Sequence, residues 1–126
     1  MTIEDDILKL LEDNGHGVIN DSLFVNYLPN EVDEAVVIFS YASPPQTAAT
    51  DDFEYNFQCR VRKNSDDYDN ARAEAFAIHS MFNRTGVDAT GRRIVFRPAN
   101  PPNFLYYDDS NRPNFVFNFT VITTGN

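Results

Sequence analysis

The N-terminal segment has the apolar spacing of an amphipathic helix. Apolar residues recur on one helical face, at Ile3, Ile7, Leu10 and Leu11. Thr2 and Asp5 stand three residues apart, the spacing of an N-cap with a carboxylate at the third helical position. The pattern predicts a helix over residues 2–14, and Gly15 and Gly17 are expected to end it.

Residues 53–62 alternate strictly between apolar and polar side chains. The apolar positions are Phe53, Tyr55, Phe57, Cys59 and Val61, and the polar ones are Glu54, Asn56, Gln58, Arg60 and Arg62. A period of two predicts a strand with one buried and one solvated face, and such a sheet is usually antiparallel. The solvated face could instead meet another subunit. Cys59 is the sole cysteine, so it forms no intrachain disulfide and is expected to be a small buried hydrophobe.

Shorter apolar runs predict five further strands. They cover residues 23–28 before Pro29, 35–41, 93–98, 104–107 and 115–123. The last two form a predicted hairpin whose Asx-rich turn holds Asn111, which is expected in the left-handed region. Residues 98–102, Pro-Ala-Asn-Pro-Pro, form a stiff connector. Residues 42–52 contain two prolines and no large apolar residue, which predicts an exposed loop.

A second helix is predicted after the alternating strand. Its apolar stripe is Tyr68, Ala71, Ala75, Ile78 and Phe82. Ser65 is its predicted N-cap with Asp66 and Asp67 in the first turn, and Asn83 and Gly86 are expected to end it. The order of elements predicts an α+β fold, an antiparallel β-sheet packed against two α-helices, in a single compact domain over residues 1–126.

The charge balance narrows the range of partners. The chain has 10 basic and 19 acidic residues, a net charge of −9, which disfavours nucleic acid and anionic membrane surfaces. The excess of acidic residues is explained equally well if it only keeps the chain soluble. The acidic N-terminus is unlike a signal peptide, and the chain has no apolar run of the roughly 18 residues that a membrane helix needs. We therefore expect synthesis in the cytoplasm.

Candidate catalytic chemistry is sparse. His16 and His79 have no ligand-like spacing, so no metal site and no cofactor are predicted. The adjacent pairs Asp51-Asp52, Asp66-Asp67 and Asp108-Asp109 suit helix N-termini and turns better than acid–base catalysis, because neighbouring side chains do not face each other. No serine lies in a recognisable nucleophile context. The sequence predicts a protein that is not an enzyme.

A basic cluster and the hairpin turn supply the candidate contact residues. Arg60 and Arg62 share the solvated face of the alternating strand, and carboxylates of a neighbouring subunit are their expected partners. The candidate subunit-interface residues are Arg60, Arg62, Asp108, Asp109 and Arg112.

The order of several motifs resembles that of a known family. They are residues 23–29 (LFVNYLP), 36–39 (VVIF) before Pro44-Pro45, 57–62 (FQCRVR), the helix around Tyr68, Ala71 and Arg72, residues 104–109 (FLYYDD), Arg112-Pro113 and residues 118–121 (NFTV). Together they resemble the phage minor capsid or tail-completion proteins, a family that includes tail-terminator-like proteins. Relatives often have Gly where this chain has Asn111, and Asn can adopt the same conformation.

The resemblance implies a structural protein made in the host cytoplasm and incorporated into the virion at the head–tail junction. It implies a self-associating ring, commonly of six copies, that stops growth of the tail tube and docks onto the head connector. It carries over no catalytic residue. We also expect the 42–52 loop to be mobile in the free subunit and to order on assembly.

Two alternatives remain. One is an adaptor in the head–connector neck of the particle. The other is a small enzyme or ligand-binding domain whose site forms only in three dimensions, and a deep pocket with convergent polar groups would favour it.

Overall fold

A computed structural model describes residues 2–41, 52–83, 87–89 and 92–124. Within these ranges the chain forms two helices and seven strands. In chain order they are α1 (Ile3–Asp13), β1 (Leu23–Val25), β2 (Ala35–Tyr41), β3 (Asp52–Arg62), α2 (Tyr68–Phe82), β4 (Val87–Ala89), β5 (Arg92–Pro98), β6 (Asn103–Tyr107) and β7 (Pro113–Thr124). The predicted α+β fold with two helices is confirmed. The predicted loop over residues 42–52 lies outside the described residues, except for Asp52 at the start of β3.

The strands form one sheet, in which β7 pairs with β3 on one side and with both β5 and β6 on the other. Its order is β1-β2-β3-β7-β5-β4, and β6 also pairs with β7. The N-terminal part of β7 pairs with β6 through Pro113–Val116, and its C-terminal part pairs with β5 through Phe119–Thr123. The strand pairs in the described residues are antiparallel except β1 with β2, which are parallel. The sheet therefore departs from the antiparallel prediction at its β1 edge.

The first helix follows local sequence signals. Thr2 accepts a hydrogen bond from the Asp5 backbone N–H, and the Asp5 carboxylate accepts one from the Thr2 backbone N–H, each at 3.1 Å. This capping box satisfies two donors that a helix start leaves unpaired. The helix ends at Asp13, and Gly15 follows with a φ of +81°. The predicted helix and its end are confirmed.

The second helix begins later than predicted. Ser65 is not its N-cap: the capping position is Asp67, whose side chain makes no capping hydrogen bond, and the first helical residue is Tyr68. Asp66 has a φ of +61° because its N–H donates to the Asn111 carbonyl and its carboxylate accepts from the Asn111 amide at 2.6 Å. A left-handed residue cannot lie in a first helical turn, so a distant contact delays the helix.

One strand is shorter than predicted, and another was not predicted. The predicted strand over residues 23–28 ends at Val25 because Asn26, with a φ of +57°, turns the chain. The Asn26 side chain is held by the Ser40 backbone N–H at 2.8 Å. The short strand β4 was not predicted, and Gly86, an expected helix end, lies outside the described residues. The predicted hairpin is confirmed, and Asn111 has the expected left-handed φ of +63°.

The hydrophobic core lies between the helices and one face of the sheet. Phe82 of α2 stacks on Phe96 of β5 at 4.5 Å between ring centroids, and its ring contacts the tilted ring of Phe119 of β7 at 4.7 Å. Ala71 and Ala75 are fully buried, which lets α2 lie close to the sheet, as its small residues predicted. The helices cover the face bearing the apolar residues of β3, so the opposite face, which we call the open face, is left without a helix.

Candidate assembly interface

Strand β6 exposes four consecutive large apolar side chains. Phe104 and Leu105 are each 40% exposed, Tyr106 is 44% exposed and Tyr107 is 46% exposed. All five residues of β6 are exposed, and none is charged. Natural edge strands are usually protected by charge or covered, so a bare aromatic edge indicates a surface that meets another protein.

The shape of β6 comes from its pairing with β7. Phe104 pairs with Phe115 and Tyr106 pairs with Asn114, so Leu105 is a bulge residue without a partner in β7. The Phe104 ring contacts the core rings of Tyr68 and Phe115 at centroid distances of 5.4 and 5.6 Å. Aromatic contacts on the side of the core thus anchor the strand, while its outer edge stays in solvent.

Arg60 lies on the open face beside this strand. Its guanidinium stands 5.5 Å from the centroid of the Phe39 ring and donates to the Tyr106 hydroxyl at 3.3 Å. Its Nε has no hydrogen-bond partner within the described ranges, and no carboxylate there pairs with it. Arg60 therefore holds a half-buried cation next to β6.

Arg62 does not lie on a solvated face, and that expectation is wrong. Its side chain is 3% exposed and donates to the backbone carbonyls of Pro29, at 2.6 Å, and Val32. The loop over residues 29–33 closes over the end of β3 and covers the guanidinium. The hydrogen-bond partners of Arg62 are therefore backbone carbonyl groups of its own chain, whereas the sequence suggested carboxylates of a neighbouring subunit.

Arg112 fixes the same loop to the hairpin turn. It is 2% exposed, and it donates to the Asn30 carbonyl and side-chain oxygens and to the Asp108 carboxylate, each at 2.9 Å. A further bond to Asp33 is 3.3 Å long. These contacts use the fork of the guanidinium, which a lysine could not reproduce.

Asp108 completes the turn. Its Oδ1 accepts from the backbone N–H groups of Ser110 and Arg112, each at 3.0 Å. Burial opposes ionisation of this carboxyl, but these N–H bonds and the Arg112 guanidinium outweigh burial, so the pKa of Asp108 lies below its ordinary value. Asp109 is exposed. Of the five candidate interface residues, Asp109 is exposed and Arg60 is half-buried, whereas Arg62, Arg112 and Asp108 hold the turn in shape.

A small polar cavity lies where α1 ends beside α2. It has a volume of about 190 Å³, below the roughly 300–1,000 Å³ that ligand sites usually have. Its charged side chains are mutually paired: His16 contacts Glu74 at 2.8 Å, and Lys63 contacts Glu34 at 3.0 Å and Glu74 at 3.5 Å. The sequence did not suggest this cluster. These ion pairs join the segments next to α1, β2 and β3 to α2 rather than presenting free groups to a substrate.

The other candidate chemical residues have structural positions. Cys59 is fully buried, and burial raises the pKa of its thiol far above the ordinary value, as expected for an inert core residue. The His79 ring contacts Phe117 at 5.3 Å. Among the described residues, no group of three or more His, Cys, Asp or Glu side chains is placed to hold a metal ion. No helix in the same ranges is long and apolar enough to span a membrane.

An exposed aromatic edge strand is typical of a subunit that works by contact with other proteins. The chain belongs to the bacteriophage tail terminator protein family, whose model matches residues 10–124. It is therefore a structural protein of the phage tail and a component of the virion. No curated protein matches the chain.

Proposed function

We propose that this protein forms a ring at the head-proximal end of the tail tube, where it stops tube growth and joins the tail to the head. Membership in the tail terminator family supports the place in the particle. The observation that best supports self-association is the uncharged strand β6, whose four large side chains are 40–46% exposed. An isolated subunit with such an edge would expose it to unspecific pairing, whereas a ring covers it.

Arg60 and Asp109 are the candidate interface residues that we expect to contact a partner directly. Arg60 is half-buried and bonds to the Tyr106 hydroxyl of the aromatic strand, and Asp109 is exposed on the hairpin turn. We assign Arg62, Asp108 and Arg112 an indirect role, since their bonds hold the turn and the 29–33 loop from which a contact would be made.

The ring's place in the particle can be tested with purified partners. Tail-tube protein is polymerised with and without this chain, and tube lengths are measured by electron microscopy. A terminator shortens the tubes and appears as a cap at one end. Unchanged tube lengths together with binding to purified connector protein would instead favour the neck adaptor, and binding to neither would contradict both proposals.

A further inference from the structure

Asn14 is the one asparagine of the chain that precedes a glycine, and this pair stands at the end of α1. Asn14 is the C-cap of the helix, and Gly15 follows it with a φ of +81°. The Gly15 N–H donates to the Glu12 carbonyl at 3.1 Å, and the His16 N–H donates to the Leu11 carbonyl at 2.9 Å. This is the Schellman pattern, which favours glycine because other residues rarely adopt a positive φ. The geometry of the helix end therefore accounts for the Asn-Gly pair.

The same pair is chemically reactive, since deamidation needs only Asn-Gly and water. The backbone nitrogen of Gly15 loses its proton and bonds to Cγ of the Asn14 side chain, the Cγ–Nδ2 bond breaks, and ammonia leaves. Water then opens the cyclic succinimide at either carbonyl group, which gives aspartate or isoaspartate in place of Asn14. Glycine favours the attack because it has no side chain to hinder its own nitrogen. Asn14 and Gly15 are both exposed, so water reaches them.

The folded chain holds both reacting groups in hydrogen bonds. The attacking nitrogen is that of Gly15, whose N–H is bound to the Glu12 carbonyl. The leaving group is the side-chain amide of Asn14, which donates back along the helix to the Leu10 carbonyl at 2.8 Å. Both groups must be released from helix carbonyls before they can react, so the last turn of α1 has to open first.

We propose that Asn14-Gly15 is a site of spontaneous modification, at which opening of the last turn of α1 sets the rate of deamidation. Two ordinary hydrogen bonds that must both break slow a reaction by about 10- to 100-fold. Opening of a single terminal turn costs less free energy than unfolding of the whole chain, so the reaction proceeds in the native protein. The proposal goes beyond the proposed function and does not depend on the ring.

An aspartate product weakens the end of α1. Its carboxylate accepts hydrogen bonds but has no donor for the Leu10 carbonyl. It also adds a negative charge directly after Glu12 and Asp13, at the negative end of the helix dipole, and the last turn of α1 contains no basic residue. The helix therefore loses a cap and gains a repulsive interaction.

An isoaspartate product also lengthens the backbone, because the chain then runs through the side-chain carbon. The segment that follows has little room for this change. A Cβ on Gly17 would lie 2.7 Å from the Ser22 Oγ and 2.9 Å from the Leu23 side chain, and the His16 ring contacts Glu74 at 2.8 Å. Either product therefore loosens the connection of α1 to β1 and α2.

Peptide mass spectrometry measures the modification directly. The full chain is incubated in mildly alkaline buffer, folded or unfolded in urea, and digested at intervals to quantify aspartate and isoaspartate in place of Asn14. We expect conversion in the folded chain to be about 10- to 100-fold slower than in the unfolded chain. Equal rates in the two states, or no conversion in either, would overturn the proposal.

Glu12 distinguishes opening of the helix end from unfolding of the whole chain. Its carboxylate accepts from the Ile19 N–H at 2.9 Å and so joins the helix end to the segment before β1. Glu12→Ala removes this bond, whereas the matched control Glu12→Gln loses the same charge and keeps an acceptor oxygen. We expect folded Glu12→Ala to deamidate about 3- to 10-fold faster than Glu12→Gln. Equal rates in the two variants, or a wild-type rate that follows only the unfolded fraction across a urea series, would rule out control by the last turn.

Asn14→Asp reproduces one product and tests its effect on the fold. Asn83→Asp is the matched control, because Asn83 is the exposed C-cap of α2 and its side chain makes no hydrogen bond within the described residues. We expect Asn14→Asp to lower the Tm by about 3–6 °C and Asn83→Asp to lower it less. A Tm for Asn14→Asp at or above that of the control would contradict the loss of the helix cap.

Discussion

Arg112 offers the sharpest test of how the hairpin turn is held. Arg112→Ala removes three hydrogen bonds of 2.9 Å, one to the Asp108 carboxylate and two to Asn30. Breaking a buried ion pair by removing one partner costs about 3–5 kcal/mol. Asp108 keeps 18% of its side chain in solvent and can be hydrated after the change, so we expect the lower end, about 3 kcal/mol.

The assay is urea unfolding of the variant and the wild type, followed by circular dichroism. With a slope of about 1.5 kcal/mol/M, a loss of ~3 kcal/mol lowers the midpoint by roughly 2 M. Arg112→Lys keeps the charge but not the fork, so we expect an intermediate loss of about 1–2 kcal/mol.

Arg72→Ala is the matched control. Arg72 is exposed on α2, where its guanidinium stands 4.4 Å from the Phe76 ring centroid, and losing it should cost at most about 1 kcal/mol. If Arg112→Ala costs no more than Arg72→Ala, Arg112 does not hold the turn. Normal stability with failed assembly would instead make Arg112 a direct contact residue.

Three further changes test the fold. Phe82→Ala empties a ring site stacked on Phe96 and should lower the free energy of unfolding by about 3–5 kcal/mol in urea titration; a loss under ~1 kcal/mol would contradict the assigned core. Thr2→Ala removes one capping-box bond and should cost about 0.5–2 kcal/mol, visible as a lower Tm, so an unchanged Tm would contradict the cap. Because the pKa of Asp108 is lower in the folded chain than its ordinary 3.8, the unfolded state binds more protons near pH 4, and the stability from Asp108 is lost as pH falls through the folded pKa. Asp108→Asn should weaken the dependence of stability on pH, and an unchanged dependence would contradict this contribution of Asp108.

The parts of the fold that were predicted depend on local signals. The capping box of α1 needs residues three apart, and the alternation over residues 53–62 fixes which side chains of β3 face the core. Asn111 could be placed because Asn tolerates the left-handed region and stands in an Asx-rich turn. Each of these depends on residues close together in sequence.

The wrong predictions depend on distant contacts. Arg62 alternates as a solvated residue should, yet carbonyl groups some 30 residues away cover it. Asp66 has the composition of a first helical turn, yet Asn111 holds it in a left-handed conformation. No local pattern contains either partner.

The candidate interface was predicted only in part. Arg60 was found because it is a cation on the polar face of a strand, but β6 was recognised only as one arm of a hairpin. Its exposure follows from the pairing of β7, since β5 and β6 share one side of that strand and β6 has no second neighbour among the strands of the described residues. The available signal was the run Phe-Leu-Tyr-Tyr, which is apolar without alternation and so cannot bury every side chain on one face.

Native mass spectrometry of the wild-type protein over a concentration series tests the central claim most directly. A ring-forming tail terminator predicts one discrete closed oligomer, expected to be a hexamer, with no open-ended ladder of larger species. A monomer at every concentration would contradict spontaneous ring formation by this chain.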